Sequence, residues 1–228
     1  MRNLLCLLPI NIQRKIMLRW LKDNALSSYL NSPFPSANKD IGQAEFLVLD
    51  FETTGLDVTK DNILSIGYTI IRNRRVVLGE SVYTLIQQEA LLKSDNVSIH
   101  QITDSAAEQG VPLKQAMDKL LSDLSGKILV AHHAGIEQGF LNNACLQLYG
   151  FSLPVVTIDT MQLEKKKLER QHATIKPNQL RLFNIRKAYG LPRYKAHNAL
   201  EDAVSTAELL LVQVANICGQ KKCRLKDL

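Results

Sequence analysis

The run EFLVLDFETTG, residues 45–55, sets four apolar residues ahead of two carboxylates and closes on a glycine turn. Apolar and β-branched residues in sequence predict a buried strand over Glu45–Phe51. Asp50 and Glu52 lie two residues apart, so on a strand both side chains leave the same face. No Lys or Arg stands within the run to neutralise them. Two carboxylates fixed side by side repel each other unless a cation lies between them. An all-oxygen donor set of this kind suits hard divalent ions.

A second acid lies far down the chain, in HNALEDAVSTAEL. Asn198 has the form of a helix N-cap, with Glu201 three residues on as its capping-box partner. His197 then precedes the cap and Asp202 falls in the first turns, where a staple-like packing brings the two together. The positive end of the helix dipole disfavours imidazolium there. A neutral imidazole is able to accept a proton, as a general base must.

The intervening sequence gives the architecture. Strands are predicted over Glu45–Phe51, Ile63–Ile71 and Val76–Ile86, joined by short polar turns, the second at Asn73-Arg74. They form an antiparallel meander. Leu113–Leu124 follows as an amphipathic helix ended by Gly126, then a strand over Lys127–Ala131 and a helix over Ile136–Tyr149. A short strand over Val155–Ile158 and helices near 160–170, 178–189 and 198–215 complete the pattern. Strands followed by strand–helix alternation predict an α/β fold: a mixed five-stranded sheet, antiparallel meander plus parallel strands, flanked by helices. Asp50 and Glu52 then fall near the end of a central strand, against the helix that starts near Asn198.

The 228 residues suit one domain with an extension, and 46% apolar content supplies a core. Net charge is +6. An acidic centre inside a basic protein suits a polyanion such as nucleic acid, although a mildly basic soluble protein has the same charge. Cys6, Cys145, Cys218 and Cys223 show no CxxC or zinc spacing, so free thiols in a reducing cytoplasm are expected. The opening MRNLLCLLPI has the look of a signal core. NIQRKIMLRW after it is basic and amphipathic without a cleavage site, and the apolar run is too short to cross a bilayer. Residues 1–30 are therefore expected to form one or two amphipathic helices packed on the domain or on a partner protein, membrane-surface contact being the lesser alternative. The Pro- and Ser-containing Asn31–Asp40 reads as a linker. The expected organisation is an N-terminal helical extension and linker over 1–43, the main domain over 44–216 and a short basic tail over 217–228.

The motifs resemble a known family. DFETTG is similar to the first motif of the DEDDh 3′–5′ exonucleases, which have the ribonuclease H-like fold, and HNALEDA to their third. ILVAHHAGIEQGFL resembles the second, with Glu137 in place of the family's aspartate, His133 in place of its asparagine and Ile136 in place of its phenylalanine. LRLFNIRKAYGLP, ahead of the third motif, is similar to the epsilon proofreading subunit of bacterial DNA polymerase III. The resemblance covers roughly residues 44–215. Glutamate at 137 reaches one C–C bond further, about 1.5 Å, than aspartate.

This resemblance implies a two-metal phosphodiesterase. Asp50, Glu52, Glu137 and Asp202 would hold two Mg²⁺ or Mn²⁺ ions about 3.5–4 Å apart, with Glu137 acting directly or through water, and His197 would take a proton from the attacking water. Thr53, Thr54 and Gly55 would hold the terminal nucleotide, Leu56 would pack on its base, and His133 would lie near the substrate. The substrate implied is a nucleic acid with a free 3′ end, DNA ahead of RNA, shortened to nucleoside 5′-monophosphates. An exoribonuclease and a weakly active or non-catalytic binding subunit of a larger complex remain as alternatives. Asp159 is expected to cap a helix rather than bind metal. His132 and His100 read as structural, Phe140 and Leu141 as core. The run Lys165–Lys167 with Arg170 suits either phosphate contact or a solvated helix face.

Overall fold

A computed structural model describes residues 8–88, 109–194, 198–219 and 221–228. Five strands form one sheet, β1 (Phe46–Thr53), β2 (Ile63–Arg72), β3 (Arg75–Leu85), β4 (Ile128–Ala131) and β5 (Thr157–Asp159), in the order β3-β2-β1-β4-β5. β1 to β3 are antiparallel neighbours, while β4 runs parallel to β1 and β5 parallel to β4. This is the mixed α/β architecture read from the sequence. The helices are α1 (Ile10–Met17), α2 (Ala25–Asn31), α3 (Leu113–Leu124), α4 (Gly135–Tyr149), α5 (Thr160–Arg170), α6 (Leu182–Ala188) and α7 (Ala199–Cys218).

The central strand is apolar because both its faces are covered. Leu47, Leu49 and Phe51 join one core with Met117, Leu120 and Leu121 of α3 and Phe140 and Leu141 of α4. Phe46 and Val48 join the other with Val130 and with Leu210 and Val214 of α7. The β2–β3 hairpin turns at Asn73-Arg74, both left-handed at φ 53° and 57°, which matches the right-handed twist of its strands.

Residues 8–43 pack into the same body. Leu26, Tyr29 and Leu30 of α2 and Phe34 beyond it belong to the core of Leu47 and Leu49. The Tyr29 hydroxyl donates to Pro154 O (3.0 Å), and the Arg14 guanidinium donates to Leu30 O (2.6 Å). The segment expected as a linker is thus anchored by the buried ring of Phe34.

Three local expectations change. β5 begins at Thr157 rather than Val155. Pro154 has no N–H to give a ladder, and pairing starts where Leu129 N–H reaches Val156 O (2.9 Å). α6 begins at Leu182 because residues 175–181 form a turn around Pro177, with Asn178 left-handed at φ 62°. Cys218 and Cys223 are joined by a disulfide, so the reading of four free thiols is corrected, while Cys145 is free and buried. The bond ties the end of α7 to a tail that runs beside residues 37–41, with Ile41 N–H donating to Cys223 O (2.9 Å) and Leu225 N–H to Lys39 O (3.1 Å). Spacing motifs look for metal sites and shared loops, and a five-residue hairpin after a helix falls outside them. No helix among the described residues is long and apolar enough to cross a membrane.

Candidate active site

The pleat of β1 builds the site. Phe46 and Val48 point toward α7, and the same alternation sends Asp50 and Glu52 to that face at the strand's C-terminal end. α7 begins over this end, and its first turn carries Asp202. Asn198 caps it, its side-chain oxygen accepting from Leu200 N–H (3.1 Å) and Glu201 N–H (3.2 Å). The expected return bond from Glu201 is absent among the described residues, and Glu201 is exposed.

Gly67 lets the helix come this close. It sits on β2 directly opposite Asp50, and a Cβ there would fall 2.1 Å from the carbonyl carbon of Ala199 and 2.2 Å from Leu200 N. Only a residue without a side chain allows the backbone of α7 to lie on the sheet at this point. The result is convergence of three acids from distant sequence: ligand oxygens of Asp50, Glu52 and Asp202 all lie within 4.8 Å of one another. A register shift between Glu52 and Thr53 marks the same strand end, where bulges often re-aim side chains.

Glu137 arrives from the other side. It lies in the first turn of α4, is 6% exposed, and its Oε2 is buried with no hydrogen-bond partner among the described residues. It stands outside the three-oxygen cluster, yet its charge is the largest of those raising Asp50. The electrostatics favour a cation among these carboxylates. Burial, and then the charges of Glu137, Asp202 and Glu52, push Asp50 well above the ordinary carboxylate range. Burial and then Asp202 raise Glu52 to about 7. Burial, with a further contribution from Asp159, raises Glu137 to about 8.

Asp159 holds the approach to Glu137. It caps α5, accepting from Met161 N–H (2.9 Å), as the sequence suggested. Its two oxygens also accept from His133 N–H (3.0 Å) and Ala134 N–H (3.1 Å), and so fix the turn from β4 into α4. His133 pivots this turn in the left-handed region, φ 66°. His132 is a wall rather than a reactive group. Burial lowers its pKa, and its ring nitrogens meet Thr160 Oγ1 (2.8 Å) and Leu180 O (2.9 Å).

The turn after β1 is built by its own side chains. Thr53 Oγ1 donates to Gly55 O (2.7 Å), and Thr54 Oγ1 donates to Asp61 Oδ1 (3.0 Å) while accepting from Asn62 N–H (2.9 Å). Both threonine hydroxyls are therefore committed within the turn. Leu56 projects from it, 74% exposed. Asp61 went unnoticed in the sequence, since an acid seven residues past Thr54 carries no motif. Gly67 did leave a signal, a glycine inside an apolar strand, which marks close backbone approach. His197 and His100 lie outside the described residues. Lys165 lies 4.0 Å from Glu169 and Lys167 pairs with Glu164 (3.1 Å) along the helix, while Lys166 Nζ donates to Leu228 O (3.4 Å).

A ribonuclease H-like sheet with three acids converging at the end of its central strand defines an exonuclease-type nuclease domain. Residues 47–210 match the model of the RNase T exonuclease family, and the chain belongs to that family. The DNA polymerase III PolC-type protein of Thermotoga maritima is 31% identical over 176 residues, which are 77% of this chain and 12% of that protein. The 3′–5′ exonuclease DinG of Staphylococcus aureus is 26% identical over 172 residues, 75% of this chain and 18% of that one. Among solved structures, E. coli exonuclease I in complex with a dT13 oligonucleotide superposes with a TM-score of 0.63 at 18% identity, covering 76% of this chain and 41% of the other. The chain thus spans less than a fifth of the two curated relatives.

Proposed function

We propose that this chain is a metal-dependent 3′–5′ exonuclease that removes nucleoside 5′-monophosphates from single-stranded or frayed DNA. The observation that carries the reading is the convergence of Asp50, Glu52 and Asp202 within 4.8 Å beside the orphaned oxygen of Glu137. The donors fit hard divalent cations: all are carboxylate oxygens, and three of them converge within 4.8 Å, so that a cation would offset their mutual repulsion. Two ions, Mg²⁺ or Mn²⁺, are assigned to Asp50, Glu52 and Asp202, with Glu137 completing the set directly or through water. Such ions supply Lewis acidity, offsetting charge on the scissile phosphate and on the leaving 3′ oxygen.

The chain's own groups do the rest. Asp50, on the central strand, is the acid on which the charges of Glu137, Asp202 and Glu52 all act. His197, next to the Asn198 cap, takes the proton of the attacking water. Gly55 and the turn that Thr53 and Thr54 rigidify seat the terminal nucleotide, with the exposed Leu56 against its base. His133 lies beside the emerging strand. The catalytic unit is residues 44–216, residues 1–43 form a helical extension available to a partner protein such as a polymerase, and 217–228 form a basic tail. The likeness to a DNA-bound exonuclease and to polymerase-associated relatives supports DNA as substrate. A cytoplasmic location follows from that substrate, although the Cys218–Cys223 bond runs against a strictly reducing compartment.

The test is shortening of 5′-labelled DNA and RNA strands of the same sequence with Mg²⁺ or Mn²⁺, with and without EDTA. Faster metal-dependent loss from the 3′ end of DNA is expected. Equal or faster loss from RNA would move the assignment to an exoribonuclease, and no shortening with either metal would leave a binding subunit.

A further inference from the structure

Beyond the acids lies a groove of which the reaction just proposed uses only His133. His132 and His133 at the end of β4, Met161 at the start of α5, and Ile175, Lys176, Leu180 and Arg181 of the following turn enclose about 350 Å³. That volume is at the low end of the roughly 300–1,000 Å³ typical of small-ligand sites. Its walls are mainly apolar, and its charged residues are cations. Neither Lys176 nor Arg181 enters a salt bridge among the described residues.

The groove is built rather than incidental. His132 Nε2 meets Leu180 O at 2.9 Å and so ties the turn to the sheet. Lys176 N–H donates to Gln179 Oε1 (2.9 Å), and Asn184 Nδ2 donates to Asn178 O (2.8 Å), which closes the turn on α6. It also adjoins the site. His133 is four residues ahead of Glu137, and parallel β1 and β4 end at the same edge of the sheet. The turn after β1, assigned to the terminal nucleotide, and this groove thus flank the acids.

We propose that the groove seats the substrate strand on the 5′ side of the scissile linkage. One base packs on Met161, Ile175 and Leu180, and the flanking phosphates lie against Lys176 and Arg181. This rests on the exonuclease reading. Apolar walls take any base face and the cations take the backbone, so recognition is independent of sequence. The occupant is a single strand, since the groove admits one base and offers no paired edge.

The experiment uses the full chain, the double variant Lys176→Ala/Arg181→Ala, and Lys221→Ala/Lys222→Ala, which loses the same charge from the tail. Two substrates are compared in Mg²⁺ or Mn²⁺: a 12-nucleotide single strand, and thymidine 5′-p-nitrophenyl phosphate, which has no upstream nucleotide. The ratio of their kcat/KM values is expected to fall about tenfold in the groove variant, carried by KM of the strand, and the salt slope for strand binding in EDTA to shrink by about 1.4, two phosphate contacts at roughly 0.7 each. Arg181→Glu should deepen the fall. An unchanged ratio in an active groove variant, or an equal fall in the tail variant, overturns the proposal and leaves the nuclease reading intact. A parent chain that cleaves neither substrate, but binds the strand in EDTA more tightly than the groove variant does, supports the groove and removes the nuclease reading.

Discussion

Replacing Gly67 by alanine asks for the smallest change that would dismantle the acid cluster without touching an acid. The added methyl would stand 2.1 Å from the carbonyl carbon of Ala199, 2.2 Å from Leu200 N and 2.4 Å from Ala199 O, all backbone atoms of the helix start. Ordinary van der Waals contact begins near 3.4 Å, so the two elements must separate by about 1.3 Å. β2 is held on one side by β1 and on the other by β3, whereas α7 is held by side-chain packing, so the helix gives way. A helix moves as a rigid body over one turn, and the carboxylate of Asp202 moves with it. A misplacement of about 1 Å costs roughly 100-fold in a positioned reaction, and an ion wanting near-octahedral oxygen geometry tolerates little more. The strain itself costs about 1–3 kcal/mol, within reach of a folded domain. The expected result is a folded protein with circular dichroism like the parent's, a melting temperature lowered by several degrees and strand-shortening activity reduced about 100-fold. The assay is the rate of 3′ shortening of a labelled strand across a titration of Mg²⁺ and Mn²⁺. Activity within about threefold of the parent, with the same metal midpoint, would refute the claim that close seating of α7 on β2 sets the cluster.

The acids themselves make sharper predictions. Asp50→Asn should abolish shortening, yet raise the melting temperature of the EDTA-treated protein, because it removes a carboxyl whose ionisation burial and neighbouring like charges oppose; a drop in metal-free stability would contradict this. Glu137→Asp should keep or raise Mg²⁺-dependent activity, and a loss as large as that of Glu137→Ala would show that the longer side chain is required. The pH dependence has a definite sign. Glu52 and Glu137 titrate near 4.5 when unfolded and at about 7 and about 8 when folded, so between those values the folded state binds more protons than the unfolded one. Stability of the metal-free protein should therefore fall as pH rises from about 5 to 8, and added Mg²⁺ should restore more at pH 8 than at pH 6, as read by thermal melts. Finally, Arg186, 1% exposed, donates to Ser205 O (2.6 Å), Pro192 O (2.8 Å) and Glu208 (2.8 Å). Arg186→Ala should cost about 3–5 kcal/mol by chemical denaturation, and a cost under about 1 kcal/mol would show the network to be dispensable.

What the sequence revealed and what it hid divide along one physical line. Periodicity and chemistry local to a segment were legible: the alternation that puts Asp50 and Glu52 on one face, the Asn198 cap, the polar hairpin turn at Asn73-Arg74, and α3 with its ends. These depend on neighbours within about one helical turn. Contacts that close in space between remote segments were not. Asp61 on Thr54, the second role of Asp159 on the His133–Ala134 turn, the Leu180 acceptor of His132 and the Cys218–Cys223 link each need the chain to return to a given place. Asp50 and Glu52 were found because paired carboxylates without nearby cations are conspicuous, Asp202 through the helix start at Asn198, and Glu137 only through the resemblance of its segment to the second exonuclease motif. Their supports are ordinary residues made important by position.

Gly67 shows how the two kinds of information join in the mechanism. In sequence it is a minor flaw in the strand ILSIGYTII, where glycine weakens a strand by about 0.5–1 kcal/mol relative to alanine. In the fold the missing methyl lets the helix N-terminus lie across Asp50, so the first turn of α7 delivers Asp202 and the Asn198 cap to the strand end together. The sheet loses a little local stability at that point, and the four carboxylates are held in place at further cost through desolvation and mutual repulsion. In the proposed metal-bound form cations offset both costs, so the metal-free protein should be the weaker of the two forms and the metal-bound one the better ordered at the beginning of α7. Hydrogen exchange of the Ala199–Ala203 amides should then slow on adding Mg²⁺, while the amides of α3, on the opposite face of the sheet, hold their rates; slowing of equal size in both would mean that cations act on the whole fold rather than through this helix start.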